Sequence, residues 1–404
     1  MKATKTLTFV SLASFMLIMA CNDYVKYEAT PFYSEDQYEI ISQTLNLPDA
    51  LDSYDVFASP FGPSNDNMIA TVGRVLFYDK ELSADGTISC ASCHQQQLGF
   101  SDNVNFSKGV HGNLTTRNSI ALGSLGSFDE EYGGQSESVP GLFWDERAPS
   151  VKAQMEQTFA NPDEMGMDLS KLESIVESKP HYQTLFEIAN FDGQPINDKI
   201  NTDNILTAIE TFVRSLSTKN SKFDKVAIND GELFRQDGFA VNWNGFSESE
   251  NRGKLLFSQN CSSCHERQLL PFGFSSQSND IDFFNPKTVA NNGLDMKYVD
   301  QGVGTFSTRE SDNGKFKIPG LKNIALTGPY MHDGRFETLT DVIDHYNEGL
   351  QDHPNLDTAL RTTDGKPKKL NFNEQDKSDL LSFLNTLTDT DMAKESKWSD
   401  PFKK

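Results

Sequence analysis

The sequence predicts a mainly α-helical fold, with two helical domains in tandem and long loops. A Cys-x-x-Cys-His pentapeptide occurs twice, as Cys90-Ala91-Ser92-Cys93-His94 and Cys261-Ser262-Ser263-Cys264-His265. Elsewhere apolar residues recur at helical spacing, and few segments alternate as a β-strand does. The clearest helical stripe consists of Ile205, Ile209, Phe212, Val213 and Leu216.

The first twenty residues predict an export signal rather than a part of the fold. Lys2 and Lys5 precede an apolar run over residues 7–20 that is too short to span a membrane. The run leads into Cys21 as in a bacterial lipoprotein signal; an ordinary signal peptide is the alternative. A lipidated Cys21 would anchor the protein to a membrane. The prediction is a membrane-anchored lipoprotein of the periplasm or cell envelope.

The chain is strongly acidic, with a formal net charge of -22 over 404 residues. This charge argues against nucleic acid as a partner. It suits a basic soluble partner, such as a small electron-carrier protein. No stretch after residue 20 is apolar enough to span a bilayer.

The five cysteines are accounted for by lipidation at Cys21 and by the two pentapeptides, which leaves none for a disulfide. In a c-type haem attachment, two thiols bind the two vinyl groups of one porphyrin and the next His binds the iron. A four-cysteine zinc site would not need a His after each pair, and a thioredoxin-like site needs a βαβ context. We therefore expect two covalently bound c-type haems, held by Cys90, Cys93 and His94 and by Cys261, Cys264 and His265.

The segments before the two pentapeptides form an internal repeat. Gly73-Arg74-Val75-Leu76-Phe77 precedes the first and Gly253-Lys254-Leu255-Leu256-Phe257 the second, each as a helix that leads into the attachment turn. The first copy has nine extra residues before its Cys, around Ser83-Ala84-Asp85-Gly86. The repeat predicts two cytochrome c-like haem domains.

The domain boundaries follow from the repeat and from composition. Polar, Gly-containing residues beyond 228 suggest a linker, and residues 275–311 read as a long loop. The predicted division is a signal peptide at 1–20, an extension or tether at 21–64, an N-terminal haem domain at 65–228, a linker at 229–246, a C-terminal haem domain at 247–390 and a tail at 391–404.

From about residue 69 to 387, the sequence resembles the bacterial di-haem cytochrome c peroxidase / MauG family. The resemblance rests on several motifs in a fixed order. They are Leu76-Phe77-Tyr78-Asp79, Arg117-Asn118-Ser119, Phe143-Trp144-Asp145-Glu146-Arg147-Ala148, Asn161-Pro162-Asp163-Glu164-Met165-Gly166, Ile318-Pro319-Gly320-Leu321-Lys322-Asn323 and Pro329-Tyr330-Met331-His332-Asp333-Gly334-Arg335.

The resemblance implies that peroxide reacts at the N-terminal haem. A Gln and a Glu lie over that haem, ten and twenty residues after an inter-haem Trp that relays electrons; here these are Trp144, Gln154 and Glu164. Breaking an O–O bond requires a base that takes a proton from one oxygen and returns it to the other. Without the resemblance, Glu164 would read as a surface carboxylate and Trp144 as a core residue.

At two positions near the first haem, the sequence departs from the pattern of the family. Thr158 stands where the family has Pro. His111 resembles a loop His that caps the first iron in many of these peroxidases, but it lies one residue closer to Arg117 than the family's ligand does. The alternative is a loop His that binds no iron.

The second axial ligand of the second haem is Met in typical peroxidases of the family and Tyr in MauG-like members. The matching position is Tyr346, and Met331 is the rival. Thr338 and Asp341 predict a capping box, and Gly349 a helix stop. Within that helix Tyr346 shares one apolar face with Leu339, Val342 and Ile343. A Tyr that is merely packed fits the same stripe.

The resemblance also implies one calcium ion between the domains. Its matching ligands are the Asn118 side chain and the carbonyl groups of Thr327 and Pro329, and oxygen ligands suit Ca²⁺. Family members are monomers or homodimers.

The resemblance implies reduction of hydrogen peroxide to water at the N-terminal haem, with electrons from the C-terminal haem and an external donor such as a small c-type cytochrome. MauG-like, peroxide-driven oxidation of protein side chains is the alternative, which Tyr346 favours. A third reading, a non-catalytic electron-transfer cytochrome, leaves Gln154 and Glu164 without a role.

Overall fold

The computed structural model describes residues 33–48, 54, 66–123, 141–189, 191, 199–235, 238–265 and 287–404. The predicted signal peptide at 1–20 and the predicted lipidation site Cys21 lie outside these residues. Within the described ranges, no helix has both the length and the apolar character that crossing a bilayer requires.

The described residues are mainly helical, which confirms the predicted fold class. Strand β1 (Val289–Ala290) pairs antiparallel with β2 (Phe316–Lys317). Two segments, Asp224–Asn229 and His345–Gly349, are single π-helical turns. The α-helices are α1 (Glu35–Thr44), α2 (Asp66–Tyr78), α3 (Cys90–Cys93), α4 (Val151–Ala160), α5 (Leu172–Glu177), α6 (Pro180–Ile188), α7 (Thr202–Ser215), α8 (Glu248–Asn260), α9 (Ser262–His265), α10 (Gly304–Ser307), α11 (Leu339–Asp344) and α12 (Glu374–Asn385).

Helices α2 and α7 cross at a point where only glycine fits. A Cβ atom on Gly73 would lie 1.8 Å from the carbonyl oxygen of Ala208. One turn further along, the ring centroids of Phe77 and Phe212 lie 5.2 Å apart. The apolar stripe predicted on α7 is buried in this first core.

Helices α8 and α12 repeat the same crossing in the second half of the chain. A Cβ atom on Gly253 would lie 1.8 Å from the carbonyl oxygen of Asp379. The ring centroids of Phe257 and Phe383 lie 5.1 Å apart and belong to a second core. The two sequence repeats are therefore two copies of one packing unit, which confirms the predicted tandem arrangement.

The predicted linker, residues 229–246, is packed rather than extended. Phe239, Trp243 and Phe246 lie in the second core, and the Trp243 indole N–H donates to the Gly238 carbonyl over 2.9 Å. The polar and Gly residues of this segment separate aromatic side chains that become buried. The exact domain boundaries stay predictions.

Residues of the predicted tail, 391–404, return to the first half of the chain. Met392 and Trp398 are buried in the first core. The Arg74 guanidinium donates to the Ser399 carbonyl over 2.7 Å, and the Tyr78 hydroxyl donates to the Trp398 carbonyl over 2.6 Å. The segment then pairs with the end of α1, which belongs to the predicted extension.

Replacing Gly253 by alanine is expected to lower the free energy of unfolding by about 1–3 kcal/mol, since the new methyl group must displace the α12 backbone. Urea unfolding of the complete protein measures this. Leu255→Ala on the same helix is the control, because Leu255 is 39% exposed. A change at Gly253 no larger than the control's would contradict the close crossing.

Candidate functional site

The first pentapeptide is held so that its histidine presents one ring nitrogen to a cavity. Cys90 is the first residue and Cys93 the last residue of the one-turn helix α3. The Nδ1 atom of His94 lies 3.0 Å from the carbonyl oxygen of Phe100 and 3.3 Å from the Ser119 hydroxyl. Burial lowers the pKa of His94 and so favours the neutral imidazole that metals bind. With Nδ1 engaged, Nε2 is the nitrogen available to a metal.

A cavity of about 930 Å³ opens beside this pentapeptide. Its size is that of a site for a cofactor or a large ligand. Its walls include the three residues of the first pentapeptide that are expected to hold a haem. They also include the three residues predicted to act in the reaction at that haem. The six residues are Cys90, Cys93, His94, Trp144, Gln154 and Glu164.

Helix α4 and the turn after it place Gln154 and Glu164 at the wall of the cavity. Ser150 caps the start of α4, on which Gln154 lies. The backbone N–H groups of Glu164 and Gly166 both donate to the Asn161 carbonyl, over 3.0 and 2.8 Å. This tight turn fixes the carboxylate of Glu164 relative to α4.

Hydrogen bonds connect these polar side chains. The Gln154 amide donates to the Thr158 hydroxyl over 2.7 Å, and the Asn161 amide donates to Glu164 Oε1 over 3.0 Å. The backbone N–H of Met165, next to Glu164, donates to the Thr158 carbonyl over 3.3 Å. Burial raises the pKa of Glu164 above its usual range, and the hydrogen bonds from Thr158 and Asn161 oppose that rise.

The structure does not bring His111 to this cavity. Its side chain is 67% exposed, and its Nδ1 atom lies 3.5 Å from a carboxylate oxygen of Asp85. The same carboxylate accepts the backbone N–H of His111 over 3.1 Å. The backbone of His111 has φ 59°, which turns the side chain away; residue spacing could not reveal this conformation.

The second pentapeptide directly follows α8, and His265 ends the short helix α9. The Nδ1 atom of His265 lies 3.2 Å from the carbonyl oxygen of Pro319. The engaged nitrogen is the same one as in His94. None of the four described cysteines forms a disulfide.

The structure places Tyr346 beside the second pentapeptide. Burial raises the pKa of its hydroxyl, and the nearby thiols of Cys264 and Cys261 add to that rise, while a side-chain hydrogen bond with Asn292 opposes it. Met331 lines the first cavity instead, and its sulfur accepts from the Asn292 amide at 3.4 Å.

The helix that carries Tyr346 starts as predicted. Thr338 and Asp341 form the reciprocal capping box, with backbone-to-side-chain bonds of 2.9 and 3.1 Å. The helix continues as the π-helical turn His345–Gly349, which the regular 3.6-residue spacing does not anticipate. His345 is buried as a result, and its Nε2 atom lies 2.9 Å from the Asn292 carbonyl oxygen.

Trp144 lies in a small third cluster with Leu294, Tyr298 and Phe316. Its indole N–H donates to the Asn118 carbonyl over 2.8 Å, and its own carbonyl accepts the Lys317 backbone N–H over 2.7 Å.

These hydrogen bonds reach the two segments that contact His94 and His265. Asn118 precedes Ser119, whose hydroxyl contacts His94, and Lys317 lies two residues before Pro319, whose carbonyl contacts His265. Ser119 and Pro319 are thus site residues that sequence reasoning left without a role. Their only signal was their place inside two of the quoted motifs.

The loop of Trp144 is fixed by buried charge. Asp145 accepts from Arg117 at 2.5 Å and from Arg147 at 2.9 Å. Its side chain is 1% exposed. Buried carboxylates need such partners, so the two arginines anchor the turn.

The three predicted calcium ligands also line the first cavity. The Asn118 amide nitrogen donates to the Val104 carbonyl over 3.0 Å, which leaves its oxygen as the atom for a cation. Thr327 immediately precedes the cis peptide bond between Gly328 and Pro329. Within the described residues, no group of three or more His, Cys, Asp or Glu side chains could hold a metal ion. A cation here would depend on neutral oxygens.

Comparison with known proteins gives the family. A family model described as di-haem cytochrome c peroxidase matches residues 67–232. Cytochrome c551 peroxidase of Nitrosomonas europaea is 31% identical over 328 residues, which cover 81% of this chain and 81% of that protein. The chain belongs to the di-haem cytochrome c peroxidase / MauG family.

Other relatives represent the MauG branch of this family. Methylamine utilization protein MauG of Methylorubrum extorquens is 28% identical over 334 residues, or 82% of this chain and 80% of that protein. A crystal structure of a MauG-like protein associated with microbial copper homeostasis has a TM-score of 0.65 and 29% identity. It covers 87% of this chain and 99% of its own.

Membership of this family makes the protein an oxidoreductase of the peroxidase type with two c-type haems. The donor sets fit that cofactor: each site offers two cysteines and a histidine whose Nδ1 is engaged. The assignment of individual ligands stays a prediction.

Replacing Tyr346 by methionine is expected to raise the reduction potential of the second haem, since a thioether would replace a phenolic oxygen at the iron. Spectroelectrochemical titration measures this potential. Tyr298→Phe, another buried tyrosine in the third cluster, is the control. An unchanged spectrum of the second haem in Tyr346→Phe would remove Tyr346 as a ligand.

Proposed function

We propose that this protein reduces hydrogen peroxide to water at the first site, with electrons from the second site and from an external donor such as a small c-type cytochrome. The observation that carries the proposal is the position of Glu164. Its carboxylate lines the same cavity as Cys90, Cys93 and His94 and is hydrogen-bonded to two neighbouring side chains. An electron-transfer site has no need of a positioned base there.

The reaction consumes one peroxide, two electrons and two protons and yields two waters. The bound haem supplies an iron that binds peroxide and accepts electrons. Glu164 takes the proton from the near oxygen of peroxide and returns it to the far oxygen, which leaves as water. Gln154 orients the peroxide, because its amide group offers both a donor and an acceptor to the cavity.

The electrons pass between the sites through Trp144. Its ring is buried, and hydrogen bonds connect it to the segments that contact His94 and His265. These bonds keep the indole in one orientation between the two sites. The acidic surface attracts a basic electron donor and raises its rate of encounter.

The second candidate is MauG-like oxidation of side chains in a partner protein, driven by peroxide. Its support is Tyr346 beside Cys261 and Cys264 and the relatives named MauG. Mixing peroxide with the protein and a reduced small c-type cytochrome separates the two candidates. Turnover of the cytochrome supports the peroxidase, and its absence with retained consumption of peroxide supports MauG-like chemistry. A non-catalytic electron carrier would consume no peroxide.

We also propose that a lipidated Cys21 anchors the protein in the periplasm or cell envelope, and that one calcium ion binds at Asn118, Thr327 and Pro329. Cys21→Ser should move the protein out of the membrane fraction.

Calcium titration after treatment with a chelator should restore the thermal stability that the chelator removes. Retention in membranes, or no response to calcium, would contradict the respective proposal. Both a monomer and a homodimer are compatible with the lipid anchor and with the calcium site.

Replacing Glu164 by glutamine should slow the reaction of peroxide at the first haem by about 10²–10⁴-fold, since the base is lost. Stopped-flow spectroscopy measures this rate. In the wild type the rate should fall as pH drops through the raised pKa of Glu164, because only the carboxylate accepts a proton.

Glu156→Gln is the matched control for Glu164, because Glu156 is an exposed carboxylate on the same segment. It should leave both the rate and the pH profile unchanged. Equal losses in the two variants would mean that general charge, rather than a base over the cavity, supports the reaction.

Replacing Trp144 by phenylalanine should slow the oxidation of the donor about tenfold or more, equivalent to roughly 1.4 kcal/mol in the barrier. The reaction of peroxide at the first haem should keep its rate. Trp398→Phe is the control, because the indole N–H of Trp398 makes no hydrogen bond within the described residues. Unchanged donor oxidation in Trp144→Phe would exclude this relay.

A further inference from the structure

Thr158 lies on the last turn of α4, between the two side chains that the proposed reaction uses. Gln154 stands one turn before it on the same helix and donates to its hydroxyl over 2.7 Å. Glu164 follows in the next turn: the backbone N–H of Met165, next to it, donates to the Thr158 carbonyl over 3.3 Å, and a hydrogen bond from the Thr158 side chain opposes the rise in the pKa of Glu164. Thr158 also lines the cavity.

The direction of these hydrogen bonds follows from what each group can donate. A threonine hydroxyl has a single hydrogen. Since Thr158 accepts the amide hydrogen of Gln154, its own hydrogen is available to Glu164. Asn161 donates to Glu164 as well, over 3.0 Å. Glu164 is therefore an acceptor of two side-chain hydrogen bonds, which favours its carboxylate form.

Two of the other influences on Glu164 disfavour the carboxylate form, and one favours it. Burial raises the pKa of Glu164, and the neighbouring charge of Asp163 adds to the rise, whereas the charge of Arg147 lowers it. The Cys93 sulfur lies close enough for its thiol to sense the Glu164 charge, but as a haem thioether it would be uncharged. The hydrogen bond from Thr158 therefore acts directly against burial.

We propose that Thr158 is a positioning residue that joins Gln154 and Glu164 into one hydrogen-bonded unit and holds Glu164 as a proton acceptor over the first cavity. This inference deepens the proposed peroxidase function and rests on it. The unit also orients Gln154: one amide hydrogen is committed to Thr158, so the carbonyl oxygen and the second amide hydrogen are left for a ligand in the cavity.

The test compares variants that differ in the hydroxyl alone. Thr158→Val keeps the shape of the side chain and removes the hydroxyl, and Thr158→Ser keeps the hydroxyl. Thr211→Val is the matched control, because the Thr211 hydroxyl donates only to the Thr207 carbonyl on α7, away from the cavity. Thr158→Ala supplies a second hydroxyl-free variant should the valine variant fold poorly.

The readout is the protonation of Glu164 in the two-haem protein without peroxide. Infrared spectroscopy follows the C=O stretch of the protonated carboxyl group against pH, and Glu164→Gln identifies the band. Thr158→Val should raise the midpoint by on the order of one pH unit, the size expected for losing one hydrogen bond to a carboxylate. Thr158→Ser and Thr211→Val should leave it at the wild-type value.

The acid limb of the peroxide reaction should move with this midpoint. An unchanged midpoint in Thr158→Val, or an equal shift in Thr158→Ser, would overturn the role of Thr158. A wild-type protein that fails to react with peroxide would sink the proposed function alone, because the infrared midpoints decide the role of Thr158 without any turnover.

Discussion

The close approach of two helices, made once around Gly73 and again around Gly253, is the constraint on which the rest of the structure depends. In each copy a side chain larger than hydrogen would collide with the backbone of the facing helix. The phenylalanine one turn later then packs against a phenylalanine of that helix. Each crossing fixes the direction in which the chain leaves the first helix, and so the place where each pentapeptide and its histidine lie.

The two copies differ in what surrounds them, and this difference carries the functional argument. Around the first pentapeptide lie a large cavity and a hydrogen-bonded group of Gln154, Thr158 and Glu164. Around the second lie Tyr346 and the π-helical turn that carries it. One packing unit thus supports a site with polar groups suited to proton transfer and a site with a side chain suited to closing off a metal. Helix α4 and the turn after it provide the first set of side chains, and the π-helical turn His345–Gly349 provides Tyr346.

Much of the site could be predicted because it depends on spacing along the chain. The pentapeptides, the capping box of Thr338 and Asp341, and the placement of Trp144, Gln154 and Glu164 around one cavity all follow from short-range pattern or from resemblance. The contacts of His94 with Ser119 and of His265 with Pro319 could not be foreseen, because they join loops far apart in sequence.

The outward position of His111 is one of the two alternatives that the sequence left open, and the burial of aromatic residues in the predicted linker was not foreseen. The position of His111 depends on a positive φ, which residue type alone rarely indicates. The segment at 229–246 has the average composition of a linker, whereas its aromatic side chains decide where it packs.

The return of residues 391–404 to the first core has a consequence for how the molecule is made. The Gln96 amide donates to the carbonyl groups of Met392 and Glu395, and Leu45 pairs with Phe402. The first core is therefore closed by contacts that span some three hundred residues of sequence. Such contacts form late, because a long loop must close before they add stability. During synthesis the first half emerges early but stays incomplete until the second half has followed, so the two repeats cannot be separated as independent modules.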